Sequence, residues 1–243
     1  MTEKIINGVK IFHIEETAST NRIAMEKENA EHLCCIVADR QSGGRGRLGR
    51  SFFSPSGGLY LSVIIDPEKL ACGLSFCTAA AALAVKDALE KSGIRDLRVK
   101  WVNDILKNER KVCGILTEAR SSNGRVVRVV VGIGINLKEP EEGFPEEIKD
   151  RAGAVGFDGD KLTLAANIAK NLGALVKKES PEIAKKYSES LAMIGQLAEV
   201  SDYADGAKKL KGRILGVDEN CFLRLETENG IKTVSSGEIC SDR

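Results

Sequence analysis

Aromatic side chains are scarce in this 243-residue chain, at 5% of positions, and its charges nearly cancel to a formal net of +1. A near-neutral chain sets up no global field for a nucleic-acid backbone or a membrane surface. Few aromatics leave little for base stacking. Histidine is limited to His13 and His32, so no zinc-ligand spacing can be assembled. The seven cysteines (Cys34, Cys35, Cys72, Cys77, Cys113, Cys221 and Cys240) include no C-x-x-C pair. That odd count, and a polar start at Met1-Thr2-Glu3-Lys4 with no signal-peptide core, point to reduced thiols in the cytoplasm. No apolar run reaches the roughly 18 residues of a membrane span.

What is present is ordinary globular material, 42% hydrophobic and 29% charged. It suffices for a main domain with a small companion. Residues 9–14 read as a strand, and a helix is expected after the capping residues Ser19-Thr20-Asn21. Residues 34–38 and 59–65 read as short buried strands, and the alanine-rich residues 73–92 as a helix ended by Gly93. A strand over 98–101 runs into the Asn103-Asp104 turn. Residues 104–108 and 111–118 form a hairpin, and 125–137 are a long β-branched run. An acidic loop fills 139–150, and 162–190 are helical with a break at Pro181. Beyond Gly195 the pattern turns to short strands, at 198–200, 211–217, 221–226 and 231–234, continuing to Asp242. This reads as a small β-barrel. The expected domains are therefore 1–194 and 195–243. No helix-turn-helix module fits before residue 16.

The stretch Gly44-Arg45-Gly46-Arg47-Leu48-Gly49-Arg50 carries the most information. It fits G-x-G-x-x-G literally, but that fingerprint needs a helix to open at the glycines. Phe52-Phe53-Ser54-Pro55-Ser56-Gly57-Gly58 cannot open one. Three guanidinium groups suit direct, bidentate contact with phosphate oxygens, while the glycines let the backbone close over a ligand. A solvated basic loop or an RNA-binding segment is the plainer alternative.

A second cluster, Lys100-Trp101-Val102-Asn103-Asp104, lies at a strand end, with Lys111 just across the hairpin. A lysine, an amide and a carboxylate so close can serve phosphates and Mg²⁺. The plainer reading is a capped turn with surface charges. Gly114-Ile115-Leu116 and Gly132-Ile133-Gly134-Ile135-Asn136 place glycines inside strands, which marks close backbone approach by a ligand or a simple bulge.

In this order the segments resemble the biotin–protein ligase family over nearly the whole chain. Glu16-Thr17-Ala18-Ser19-Thr20-Asn21 is similar to its E-T-x-S-T-N segment. Gln41 with the glycine–arginine loop resembles Q-x-x-G-R-G-R-x-G-R, and Lys100-Trp101-x-Asn103-Asp104 resembles K-W-P-N-D. Arg110-Lys111-x-x-Gly114-Ile115-Leu116-x-Glu118, Gly132-x-Gly134-x-Asn136 and Gly237-Glu238 complete the set. The resemblance implies an α/β (α+β) catalytic domain of the class II aminoacyl-tRNA synthetase/biotin ligase type. Its mixed central sheet would carry flanking helices and be followed by an SH3-like barrel. It implies ATP-dependent biotinylation of a lysine on a biotin carboxyl carrier domain through biotinyl-AMP, with ATP, biotin and Mg²⁺ as small-molecule partners.

By that resemblance Ser19, Thr20, Asn21 and Gln41 surround the biotin ring, and the backbone of Gly114 and Leu116 joins them. Arg47 holds the adenylate phosphate, and Lys111 binds the biotin carboxylate. Asn103 and Asp104 serve the triphosphate, magnesium and the incoming lysine, Lys100 joins Arg47 and Lys111 in offsetting charge on the carboxylate and phosphates, and Asn136 lies near the adenosine. Gly44, Arg45, Gly46, Arg50, Phe52, Trp101, Ile115 and Gly134 complete the expected binding set, with no residue assigned as a metal ligand. Val102 replaces the usual proline and Phe52 the frequent tryptophan, which removes an indole donor. A lipoate–protein ligase, a biotin-sensing regulator and a nucleic-acid binder are the alternatives. Homodimers occur in the family, and the 125–137 run is expected as a shared edge.

Overall fold

In the computed structural model, which describes residues 1–240, two sheets organise the chain. β1 (Thr2–Ile6) and β2 (Val9–Thr17) lead into α1 (Thr20–Glu26). β3 (Cys35–Gln41), β4 (Leu59–Ile65), α2 (Cys77–Lys91), β5 (Leu97–Lys100) and β6 (Asp104–Lys107) follow, then β7 (Arg110–Ser122) and β8 (Arg125–Ile135). These eight strands form one sheet in the order β1-β2-β3-β4-β8-β7-β6-β5. Only the β2–β3 pairing is parallel, so the sheet is mixed. After α3 (Lys161–Leu175) and α4 (Ser180–Glu189), β9 (Leu197–Asp202), β10 (Lys208–Val217), β11 (Leu223–Thr227), β12 (Gly230–Val234) and β13 (Gly237–Cys240) make an antiparallel sheet ordered β12-β11-β10-β9-β13. The mixed α/β class with a small C-terminal antiparallel sheet matches the expectation from sequence. The part of that expectation reaching Asp242 and residue 243 lies outside the described residues.

Two-residue alternation sorts the large sheet into two chemically different faces. Leu59, Leu61, Val63 and Ile65 on β4, and Val129, Val131, Ile133 and Ile135 on β8, are buried with Ala81 and Val85 of α2 and Ile168 and Leu172 of α3. Each such aliphatic side chain contributes roughly 1.5–3 kcal/mol on burial. The alternate positions are Tyr60, Ser62 and Ile64 on β4 and Val130, Gly132 and Gly134 on β8. α1 covers one end of this face, where Ala24 packs with Cys34, Ile36, Ile64 and Val130. The remainder floors an open cleft.

Several elements differ from the sequence reading. β1 was missed because its residues are largely exposed and show no alternation. It pairs with β2 through Asn7 and Gly8, both at positive φ. β13 is only four residues long. The break between two helices expected at Pro181 is present, between α3 and α4, with Pro181 in the first turn of α4 where its missing N–H costs nothing. The shared-edge expectation for residues 125–137 is corrected. From Val129 to Ile135, β8 is hydrogen-bonded between β4 and β7, and only residues 125–128 run past β4. Among the described residues no helix is long and apolar enough to cross a membrane.

Candidate active site

A cleft opens over the glycine-bearing face of the large sheet. Of the candidates named from sequence, all but Gly44 and Asn136 line it. Gly44 is buried beneath the loop, where a Cβ would lie 2.4 Å from the Phe52 carbonyl oxygen, so the loop closes only over glycine there. Asn136 donates from Nδ2 to the Gly153 carbonyl at 2.9 Å. It ties the segment after the acidic loop to the sheet.

One end of the cleft is an uncharged network with a carboxylate behind it. Thr20 and Asn21 are buried, and burying such groups unpaired would cost about 1–3 kcal/mol each. Gln41 Oε1 accepts from the Thr20 N–H at 2.8 Å and from its hydroxyl at 3.1 Å. Ser62 Oγ lies 2.8 Å from Thr20 Oγ1 and 2.6 Å from Asn21 Oδ1. The Asn21 amide donates to Glu118 Oε2 at 2.7 Å and to the Leu116 carbonyl at 3.3 Å. Gly132 makes room for this arrangement, since a Cβ there would stand 2.3 Å from Asn21 Oδ1.

The other end is cationic. Arg45 stands apart from it, its Nη2 2.9 Å from the Glu118 Oε2 to which Asn21 also donates. Arg47 Nη1 donates to the Gly237 carbonyl at 2.9 Å, and Arg50 Nη1 lies 2.8 and 2.7 Å from the two oxygens of Glu238. The loop is thereby pinned to β13 of the small sheet. Lys111 Nζ is 2.7 Å from Asp104 Oδ1 and stands 5.7 Å from the centroid of the Phe52 ring. Burial pulls the Lys100 ammonium below its usual range, and Asp104 and Glu238 oppose that. Burial pushes the Glu238 carboxyl up, but hydrogen bonds from Tyr203 and Arg50 outweigh it and hold the group low. Asn103 Nδ2 donates to the Ile115 carbonyl at 2.9 Å. Trp101 sends its indole N–H to the Cys221 carbonyl at 3.0 Å, across a cis Trp101–Val102 peptide.

Sequence reasoning left out Tyr203, Glu238 and Gly132 from the candidate set, and Ser62 and Glu118 behind the floor. Gly237-Glu238 was visible as a motif, but nothing near Tyr203 marks it. Asp104 and Glu238 are the carboxylates in the lining, and both are already paired with cations. Among the described residues no group of three or more His, Cys, Asp or Glu is arranged to hold a metal ion. An ion such as Mg²⁺, which usually takes one or two carboxylates plus phosphate oxygens and water, fits Asp104 on those terms.

A cleft with a neutral recognition end and a cationic end on one mixed sheet suits an elongated acid to be joined to a nucleotide phosphate. Residues 13–136 match the biotin/lipoate A/B protein ligase family, and residues 204–240 match the biotin protein ligase C-terminal domain. The bifunctional ligase/repressor BirA of Bacillus spizizenii is 32% identical over 242 residues, spanning 96% of this chain and 74% of that protein. A biotin–[acetyl-CoA-carboxylase] ligase of Paracoccus denitrificans is 28% identical, spanning 93% of this chain and 98% of that one. The Aquifex aeolicus biotin protein ligase in complex with biotin and ATP superposes with a TM-score of 0.81 at 33% identity, covering 95% of this chain and 97% of that one. This chain belongs to the biotin/lipoate A/B protein ligase family. Two of the relatives just named are biotin ligases by name, and the third is a ligase that doubles as a repressor.

Proposed function

We propose that this chain is a biotin–protein ligase that adenylates biotin with ATP and passes it to a lysine of a biotin carboxyl carrier domain. The observation that carries the reading is the polarity of one cleft, with a buried amide–hydroxyl network at one end and Arg47, Arg50, Lys100 and Lys111 at the other.

A carboxylate is a poor acyl donor because it is already anionic. In the first step its oxygen attacks the α-phosphorus of ATP, the bond to the β-phosphate breaks, and pyrophosphate leaves. Lys111 steadies the carboxylate, and Arg47 and Lys100 offset charge on the phosphates; preorganised cations of this kind supply much of an enzyme's rate. In the second step the lysine nitrogen attacks the acyl carbon and AMP departs. Asp104 would accept the amine proton. Mg²⁺ would enter with ATP, neutralising phosphate charge, and Asp104 would meet it. Thr20, Asn21 and Gln41 offer donors and acceptors to a ureido ring. Arg47, tied to Gly237, roofs the cleft and keeps the adenylate from escaping.

Seven unpaired thiols support a reducing, cytoplasmic setting. The family resemblance implies a homodimer. Biotin-dependent exchange of labelled pyrophosphate into ATP tests the activity, with lipoate and octanoate as controls. Exchange with biotin alone is expected. Exchange with lipoate instead would overturn the substrate and keep the fold.

A further inference from the structure

α1 is a weak helix by its own sequence. It has seven residues, no side-chain hydrogen bond at its N-cap and no basic residue in its last turn. Isolated helices below about 12–15 residues are marginal in water, and the last carbonyls of any helix lack partners within it. Yet the first turn of α1 carries Thr20 and Asn21 into the cleft.

β8 supplies what α1 lacks. Arg128, Val130 and Gly132 succeed one another on one face of the strand and meet α1 from end to end. Gly132 leaves space for Asn21 at the N-terminal end. Val130 packs with Ala24 in the middle. Arg128 Nη1 donates to the carbonyls of Ala24 at 3.3 Å, Met25 at 3.1 Å and Lys27 at the C-terminal end. Arg120, opposite Arg128 across the β7–β8 ladder, donates to Met25 O at 3.2 Å. A guanidinium here satisfies several orphan acceptors at once and complements the negative end of the helix dipole.

We propose that Arg128, seconded by Arg120, is a positioning residue for biotin: by fixing the C-terminal carbonyls of α1 it sets the depth at which Thr20 and Asn21 enter the cleft. This rests on the ligase reading above. A merely structural cap would weaken both substrates alike or neither, whereas a positioning role acts on the biotin end alone.

The test is pyrophosphate exchange by the full chain, with biotin and ATP varied separately, in Arg128→Ala and Arg128→Lys. Amide hydrogen exchange over residues 23–27 is followed in parallel. Arg128→Ala is expected to raise the KM for biotin on the order of tenfold, to leave the KM for ATP unchanged and to speed α1 exchange. Arg128→Lys should recover part of the loss. An unchanged KM for biotin, or equal rises for both substrates, overturns the proposal. Should Arg128→Ala not fold, Arg120→Ala is expected to shift biotin alone by a smaller factor, and no shift there is equally fatal. If the wild type shows no biotin-dependent exchange, the ligase reading has failed instead. Amide exchange then still decides whether Arg128 holds α1.

Discussion

The two ends of the cleft are built on different principles. Around Asn21 the hydroxyl and amide groups of Thr20, Gln41, Ser62 and Asn21 bond one another, so the side chains are fixed before any ligand arrives. At the cationic end the partners are ones a phosphate can replace: Arg47 holds a backbone carbonyl, Arg50 holds Glu238 and Lys111 holds Asp104. Partly exposed ion pairs of this kind are worth about 0–1 kcal/mol. Exchanging the exposed Arg50–Glu238 pair for a bound anion therefore costs little. Neutral side chains satisfy one another at one end, and cations are held by protein partners at the other.

Breaking the cationic end should have the largest effect. Lys111→Ala is expected to lower the maximal rate of biotin-dependent pyrophosphate exchange by about 10³-fold, since it removes charge stabilisation at the reacting carboxylate. The Asp104 carboxylate would also lose its 2.7 Å partner. A rate within about tenfold of the wild type would show that Lys111 is not at the reacting centre. Breaking the neutral end should look different. In Gly132→Ala the new methyl group would stand 2.3 Å from Asn21 Oδ1, so the carboxamide must move. Overpacking of that order costs about 1–3 kcal/mol, which corresponds to a rise of roughly 5- to 150-fold in the KM for biotin. The KM for ATP should hold. If the biotin constant is indifferent to the methyl group, Asn21 does not read the biotin ring.

The same contrast explains what could be read from sequence. The glycine–arginine loop, the Lys100 to Asp104 turn and the strand glycines each sit in short patterned segments, and the fold gathers them into one cleft. The large buried strands were visible for the same reason, because β4 and β8 are continuous apolar runs. Residues whose role depends on a distant partner left no local mark. Tyr203 reaches Glu238, Ser62 bridges Thr20 and Asn21, and Arg128 meets a helix about a hundred positions earlier. Each is an ordinary polar residue until the sheet order is known. The 125–137 run was misplaced for a related reason. A buried strand and an apolar edge share one composition, and only the pairing with β4 tells them apart.

A pH comparison of the two ends must first subtract the fold's own titration, and His32 is where that arises. It lies away from the cleft, with Nδ1 accepting from the Asp66 N–H at 3.3 Å and Nε2 buried without a protein partner. Burial pulls its pKa below the ordinary 6.5, while Asp66 acts the other way and Lys177 and Lys69 reinforce the drop. The unfolded chain therefore binds this proton more readily than the native one. The stability linked to a neutral His32 is complete above the unfolded pKa and is lost as the pH falls through 6.5 towards the lower native value. The thermal midpoint of the wild type should fall between about pH 7.5 and 5.5. His32→Gln, which keeps a polar side chain and cannot titrate, should flatten that slope and leave the biotin and ATP constants in place. Parallel slopes in the two proteins would mean that acid sensitivity resides elsewhere, and the carboxylates of the cationic end would then be the next groups to replace.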